Sequence, residues 1–89
     1  MRLEKLLKAL ANRRRLTIVD MLRTRSRSVS EIASGLRLSI RSTSRHLQVL
    51  ARADIVDHTQ VGTVRSYHLT DPPHPITSSI IAFKTYSHE

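Results

Sequence analysis

Residues 39–50, SIRSTSRHLQVL, gather four hydroxyl side chains, two arginines and a histidine without one acid. Their apolar residues recur at helical spacing, so the segment predicts a helix capped by Ser39 and running to about Ala53. At 100° per residue, Thr43, Leu47, Leu50 and Ala51 fall on one side, which is the core face. Arg41, Arg45, Gln48 and Arg52 fall together on another. Ser42 flanks this stripe, and Ser44 lies between the two faces. A guanidinium presents a fork of donors that matches guanine O6 and N7 or two phosphate oxygens, and the Ser and Gln side chains add further donors. A merely solvated face would carry Arg–Glu pairs at i, i+4, and this one has none. Arg41 also stands in the first turn, where the helix dipole disfavours a cation. A polyanion outside the chain removes that penalty.

The rest of the composition points the same way. Fifteen basic residues, twelve of them Arg, face seven acidic ones for a net charge of +8. The excess is concentrated: between Arg13 and Arg52 ten arginines meet only Asp20 and Glu31. Such a local field suits a nucleic acid. Eighty-nine residues leave room for one domain, 1–89, and a domain this small favours pairing with a second copy. The chain has no cysteine, which removes disulfides and thiolate metal sites and fits a reducing cytoplasm. No apolar run reaches membrane-spanning length and no leader pattern opens the chain, so no membrane partner is expected.

The helix at 39–53 needs a frame. Leu3, Leu6, Leu7 and Leu10 predict a first helix over 2–11, and Asn12 caps a second that reaches about Arg23. "RTRSR" reads as a basic turn. Ser28 and Glu31 form a capping box for a short third helix with Val29, Ile32, Ala33 and Leu36 buried. A turn at Arg37 and Leu38 joins it to the helix at 39–53. The period then changes: "IVDHTQ" and "VRSYHL" read as strands joined by Gly62-Thr63, a type II′ turn with Val61 opposite Val64. "DPPHP" breaks the chain before a last amphipathic helix, about 76–87, carrying Ile76, Ile80, Phe83 and Tyr86. The expected fold class is mainly α with a small β-hairpin. The helix-turn-helix spans about 28–53 and the wing about 55–69, a single-domain winged helix-turn-helix. The leucines of the first helix and Ile76, Ile80 and Phe83 of the last are too apolar for an exposed surface and predict a homodimer sealed by the terminal helices.

In order, "KALANRRRLTIVDML", "SVSEIASGLRLSIRSTSRHLQVL" and "ADIVDHTQVGTVRSYHL" resemble the ArsR-type (arsenical-resistance repressor) winged-helix transcription factors over about residues 5–69. The resemblance implies a homodimeric repressor on a palindromic operator, in double-stranded DNA. It places base-reading positions at Ile40, Arg41, Ser44 and Arg45. Ile40 stands where Gln is frequent and by phase leans toward the core, so it is left out of the DNA contacts. Those are Arg41, Ser42, Ser44, Arg45 and Gln48, with Arg65 on the wing, Arg37 in the turn and Arg15, which the family pattern shares. Asn12-Arg13 replaces an Asp-Pro opening, Thr43 replaces a common Val, and Arg37 stands at the turn glycine, at a cost of roughly 1 kcal/mol if left-handed.

The Cys-x-Cys of metal-sensing relatives corresponds to Ser28 and Ser30. Asp71, His74, His88 and Glu89 carry the residue types of another metal site but are split by the Pro-rich break, His46 and His68 are lone histidines, and the five histidines, His58 included, offer no pair at i, i+4 on one helix. No metal site, cofactor or catalytic residue is expected: the chain has no phosphate-cradling glycine loop and no nucleophile motif. The effector is unknown from the sequence. Two other functions stay open, a DNA-coating protein without sequence preference and a winged-helix protein-interaction module. Salt-dependent but sequence-independent binding would mark the first, and no binding at low salt the second.

Overall fold

Four helices of this chain start where a side chain accepts from a free backbone N–H group. A computed structural model describes residues 3–86, with side chains through residue 83, in the order α1 (Leu3–Leu10), α2 (Arg13–Leu22), β1 (Arg27–Ser28), α3 (Val29–Leu36), α4 (Ile40–Arg52), β2 (Val56–Val61), β3 (Val64–Leu69) and α5 (Pro75–Tyr86). Asn12 accepts from Arg15 N–H, Ser39 from Ser42 N–H, and Ser28 from Glu31 N–H while the Glu31 carboxylate accepts from Ser28 N–H. The capping box of α3 is therefore closed in both directions. That backbone bond, with the Arg25 guanidinium beside it, holds the Glu31 carboxyl below its ordinary pKa. The cap of α5 was not legible: His74 Nδ1 accepts from Ile76 N–H at 3.0 Å, ahead of Pro75 as first helical residue.

The helix ends are as definite. After α3, Leu38 N–H reaches Ala33 O at 3.0 Å and Arg37 N–H reaches Ser34 O at 3.2 Å, with Arg37 left-handed at φ 58. After α4 the same pair of bonds runs from Ile55 N–H to Leu50 O and from Asp54 N–H to Ala51 O, with Asp54 at φ 58. Both are Schellman endings, in which a left-handed residue satisfies carbonyls the helix leaves free. Neither residue is glycine, so each carries a strain of roughly 1–2 kcal/mol. Where glycine is present it is used: Gly62 takes φ 63 in the wing turn. At Gly35 an added Cβ would lie 2.7 Å from Met21 Cε, the close approach of α3 to α2.

The sheet is antiparallel in the order β1-β3-β2. Its hairpin has the expected register, Val61 opposite Val64 and His58 opposite Tyr67. The third strand is a correction. Arg27, the last residue of the expected basic turn, and Ser28, the expected cap of the third helix, pair with Tyr67 and Ser66 of β3. Such a short edge strand has no periodicity of its own to betray it.

Leu6, Ala9 and Leu10 of α1, Ile18, Val19 and Leu22 of α2, Ile32 of α3, Leu47 and Leu50 of α4, Ile55, Val56 and Tyr67 form one core. This places two expected dimer residues elsewhere. Leu6 and Leu10 are sealed inside the protomer, at 0% and 3% exposure, while Leu3 and Leu7 stay 53% and 45% exposed. The apolar stripe of α1 is wider than the face a single neighbour can cover, so its two edges separate. The last helix divides likewise: Thr77 is buried, Ile76, Ile80 and Ile81 pack partly on the core, and Phe83 is 71% exposed.

Among the described residues two buried hydroxyls, Thr43 Oγ1 and Thr77 Oγ1, have no hydrogen-bond partner. An unsatisfied buried hydroxyl costs on the order of 1–3 kcal/mol. Thr43→Val keeps the shape and removes the hydroxyl, so its urea midpoint should rise, by about 1 kcal/mol at unchanged slope. A lower midpoint would mean that Thr43 finds a partner in solution.

Candidate nucleic-acid interface

Thr43, Leu47 and Leu50, all at 0% exposure, pin one face of α4 into the core and fix the rotation of the other. On that other face Arg41, Arg45, Gln48 and Arg52 are all exposed, and among the described residues none of the four has a hydrogen bond or ion pair. Ser42 and Ser44 are partly covered at its flanks. No acid stands in the first turn of α4, so Arg41 remains at the positive end of the helix without a compensating carboxylate. Ile40 departs from the phase argument, which placed it toward the core. It is 50% exposed, because as first helical residue it points back beyond the end of the core. Arg37 is exposed on its left-handed turn, immediately before the Ser39 cap.

The other arginines divide by whether the chain itself uses them. Arg23 pairs with Asp20 and Arg25 with Glu31, each at 3.2 Å. Arg27 donates to Met21 O at 2.9 Å and to Thr24 Oγ1. On the wing, Arg65 donates through Nε and Nη2 to Gln60 Oε1, while Val61 and Val64 at the tip are 74% and 55% exposed. Arg13 and Arg14 are exposed at the start of α2.

Arg15 has a role the sequence did not disclose. Its Nε donates to Ala9 O at 2.6 Å and an Nη to Lys8 O at 3.2 Å, two carbonyls at the negative end of α1. Its other Nη lies 3.3 Å from His46 Nδ1 on α4. The guanidinium therefore ties α1, α2 and α4 together through its Nε and both Nη groups, an internal role beside the DNA contact expected of it. Only the mismatch of a cation in the first turn of α2 hinted at it.

In neutral His46 the Nδ1 lone pair accepts from Arg15. Burial, then the charges of Arg15 and Arg14, hold the imidazole below its ordinary pKa of 6.5. Among the described residues no three His, Asp or Glu side chains come together as a metal site, and His74 is occupied as a cap. His88 and Glu89 lie outside the described residues. Among those residues no helix is long and apolar enough to cross a membrane.

The His46 contact has a pH signature. The unfolded chain binds this proton near 6.5 and the folded chain only at lower pH, so stability falls as pH drops through that window. His46→Gln should flatten this part of the urea-midpoint profile between about pH 7.5 and 5. Arg15→Ala should destabilise by about 1–3 kcal/mol at the upper end. A His46→Gln profile parallel to that of the unmodified chain would refute the coupling.

Known proteins share both the sequence and this geometry. Residues 10–59 match the helix-turn-helix domain family. HlyU from Vibrio cholerae superposes with a TM-score of 0.85 at 32% identity, over 97% of this chain and 91% of that one. A solution structure of the homodimeric winged helix-turn-helix DNA-binding domain of Mb0332 from Mycobacterium bovis, described as a possible ArsR-family transcriptional regulator, gives 0.80 at 28% identity over 97% and 82%. The HTH-type transcriptional regulator Rv0324 of Mycobacterium tuberculosis is 37% identical over 62 residues, 70% of this chain, which spans only 27% of that protein's length. With the capped α3–α4 pair, the paired wing and these likenesses together, the chain belongs to the helix-turn-helix domain family, in its ArsR-type winged-helix form.

Proposed function

We propose that the chain is a sequence-specific, double-stranded-DNA-binding transcriptional regulator, a cytoplasmic homodimer that represses from a palindromic operator. The observation that carries this is the outer face of α4. Arg41, Arg45, Gln48 and Arg52 form one exposed row, unpaired within the described residues, while Arg15, Arg23, Arg25 and Arg27 are engaged internally. A helix of this kind enters the major groove with its N-terminal residues on the base edges. Arg41 and Arg45 then read guanines, each pair contributing about 1–3 kcal/mol of discrimination, and Ser42 and Ser44 donate to bases or phosphates. Arg37, at the entrance to the helix, and Arg65, on the wing, contact the backbone. Nothing in the site calls for catalysis.

The dimer reading rests on Leu3, Leu7 and Phe83, large apolar side chains left 45–71% exposed on the terminal helices. Phe83 rims an open apolar groove of about 550 Å³ with Pro75, Ile76, Ser79 and Ile80. Large exposed apolar side chains of this kind on two terminal helices suit burial against a second copy.

Selection from random duplexes should return a two-fold symmetric site. Arg41→Ala with Arg45→Ala should then erase the preference for it over random DNA, with the circular dichroism spectrum unaltered. Discrimination that survives the double substitution would move the reading face elsewhere, and equal affinity of the unmodified chain for all duplexes would make it a DNA-coating protein. Sedimentation equilibrium should give a dimer at micromolar concentration and a monomer for Leu3→Lys with Leu7→Lys. A monomeric unmodified chain would contradict the symmetric site as well.

A further inference from the structure

Beside the row of α4 lies a second basic feature. Lys5, Lys8, Ala9 and Arg15 on one side and Val49 and Arg52 on the other enclose a pocket of about 230 Å³ between α1 and α4. Its floor, Ala9 and Val49, is apolar, and every charged group lining it is a cation. Arg15 covers the carbonyls of Lys8 and Ala9, which would otherwise repel an anion. Lys5 and Arg52 have no partner among the described residues. The nearby acid is Glu4, held by Lys8 at 3.8 Å with both side chains nearly four-fifths exposed, a loose contact that a stronger anion displaces.

The pocket adjoins the proposed reading face through Arg52. Arg41 and Arg52 are eleven residues apart, about 16 Å along the helix axis. The major groove is about 12 Å wide. With Arg41 on the base edges and the helix axis inclined across the groove, the C-terminal end of the row overruns the groove and meets its sugar–phosphate wall. There the pocket offers cations for a phosphate and a small apolar floor for the adjoining deoxyribose. A bare inorganic anion would have no use for that floor.

We infer that the α1–α4 pocket formed by Lys5, Lys8, Val49 and Arg52 grips one backbone phosphate and its sugar in each protomer, so that α1 serves DNA anchoring as well as assembly. This rests on the proposed DNA-binding function. It adds contacts that set affinity and carry no sequence information.

The test uses the dimeric chain on the selected site and on a random duplex, with affinity followed against salt. K5Q/K8Q should weaken both duplexes alike, about eightfold per phosphate lost near 0.1 M salt, and lower the salt slope by about 0.9 per protomer. The ratio between the two duplexes should stay unchanged. E4Q, which frees Lys8 and leaves both lysines in place, should strengthen both. If neither variant alters affinity or slope, the inference is overturned, whereas an unmodified chain that binds no duplex overturns the function beneath it. Saturable binding of inorganic phosphate that K5Q/K8Q abolishes while DNA affinity holds would assign the pocket to a free anion, and also overturns it.

Discussion

The geometry of this molecule hangs on one guanidinium. Arg15 lies in the first turn of α2, where the helix dipole disfavours it, and reaches back to carbonyls at the C-terminus of α1, where the dipole favours it. The two effects offset, and the remaining donor meets His46 on α4. Three helices of a small domain are thereby held at a single junction. Hydrophobic contact between them is non-directional and tolerates sliding, whereas these hydrogen bonds set distances. The rotation of α4, and with it the direction of the arginine row, depends on both.

That junction separates two populations of charge. Where the chain needs an arginine for itself, it supplies an acceptor: Asp20, Glu31, Met21 O or Ala9 O. Where it does not, on the outer face of α4, the arginines have no hydrogen-bond or ion-pair partner among the described residues. Unpaired cations repel one another in the free protein, and a polyanion relieves that repulsion on binding. Net charge alone could not distinguish these groups, because Arg25 and Arg45 count equally in a composition and differ only in what surrounds them.

What was legible in the sequence was local. Asn12, Ser28 with Glu31, and Ser39 announce their helices because the cap and the N–H it satisfies lie three residues apart. Gly62 announces the wing for the same reason, and the row on α4 follows from helical phase. Non-local features escaped. Arg27–Ser28 becomes a strand only because β3 lies beside it. Leu6 and Leu3 look alike until α2 and α4 cover one and not the other. The partners of Arg15 are six, seven and thirty-one residues away. His74 was a cap in a region that looked merely broken, since imidazole is an unusual capping group.

The two-residue strand has a mechanical consequence. Ser28 is at once the last residue of β1, paired with Ser66 of the wing, and the cap on which α3 begins. The wing is therefore coupled to the helix pair it accompanies in the manner of a crank, with Ser28 as the pin. A force that tilts the hairpin is delivered to the start of α3, and through the strained Arg37 corner to α4. The placement of the hairpin and the start of α3 are thereby set at a common residue, and stiffness at this pin governs how closely one follows the other.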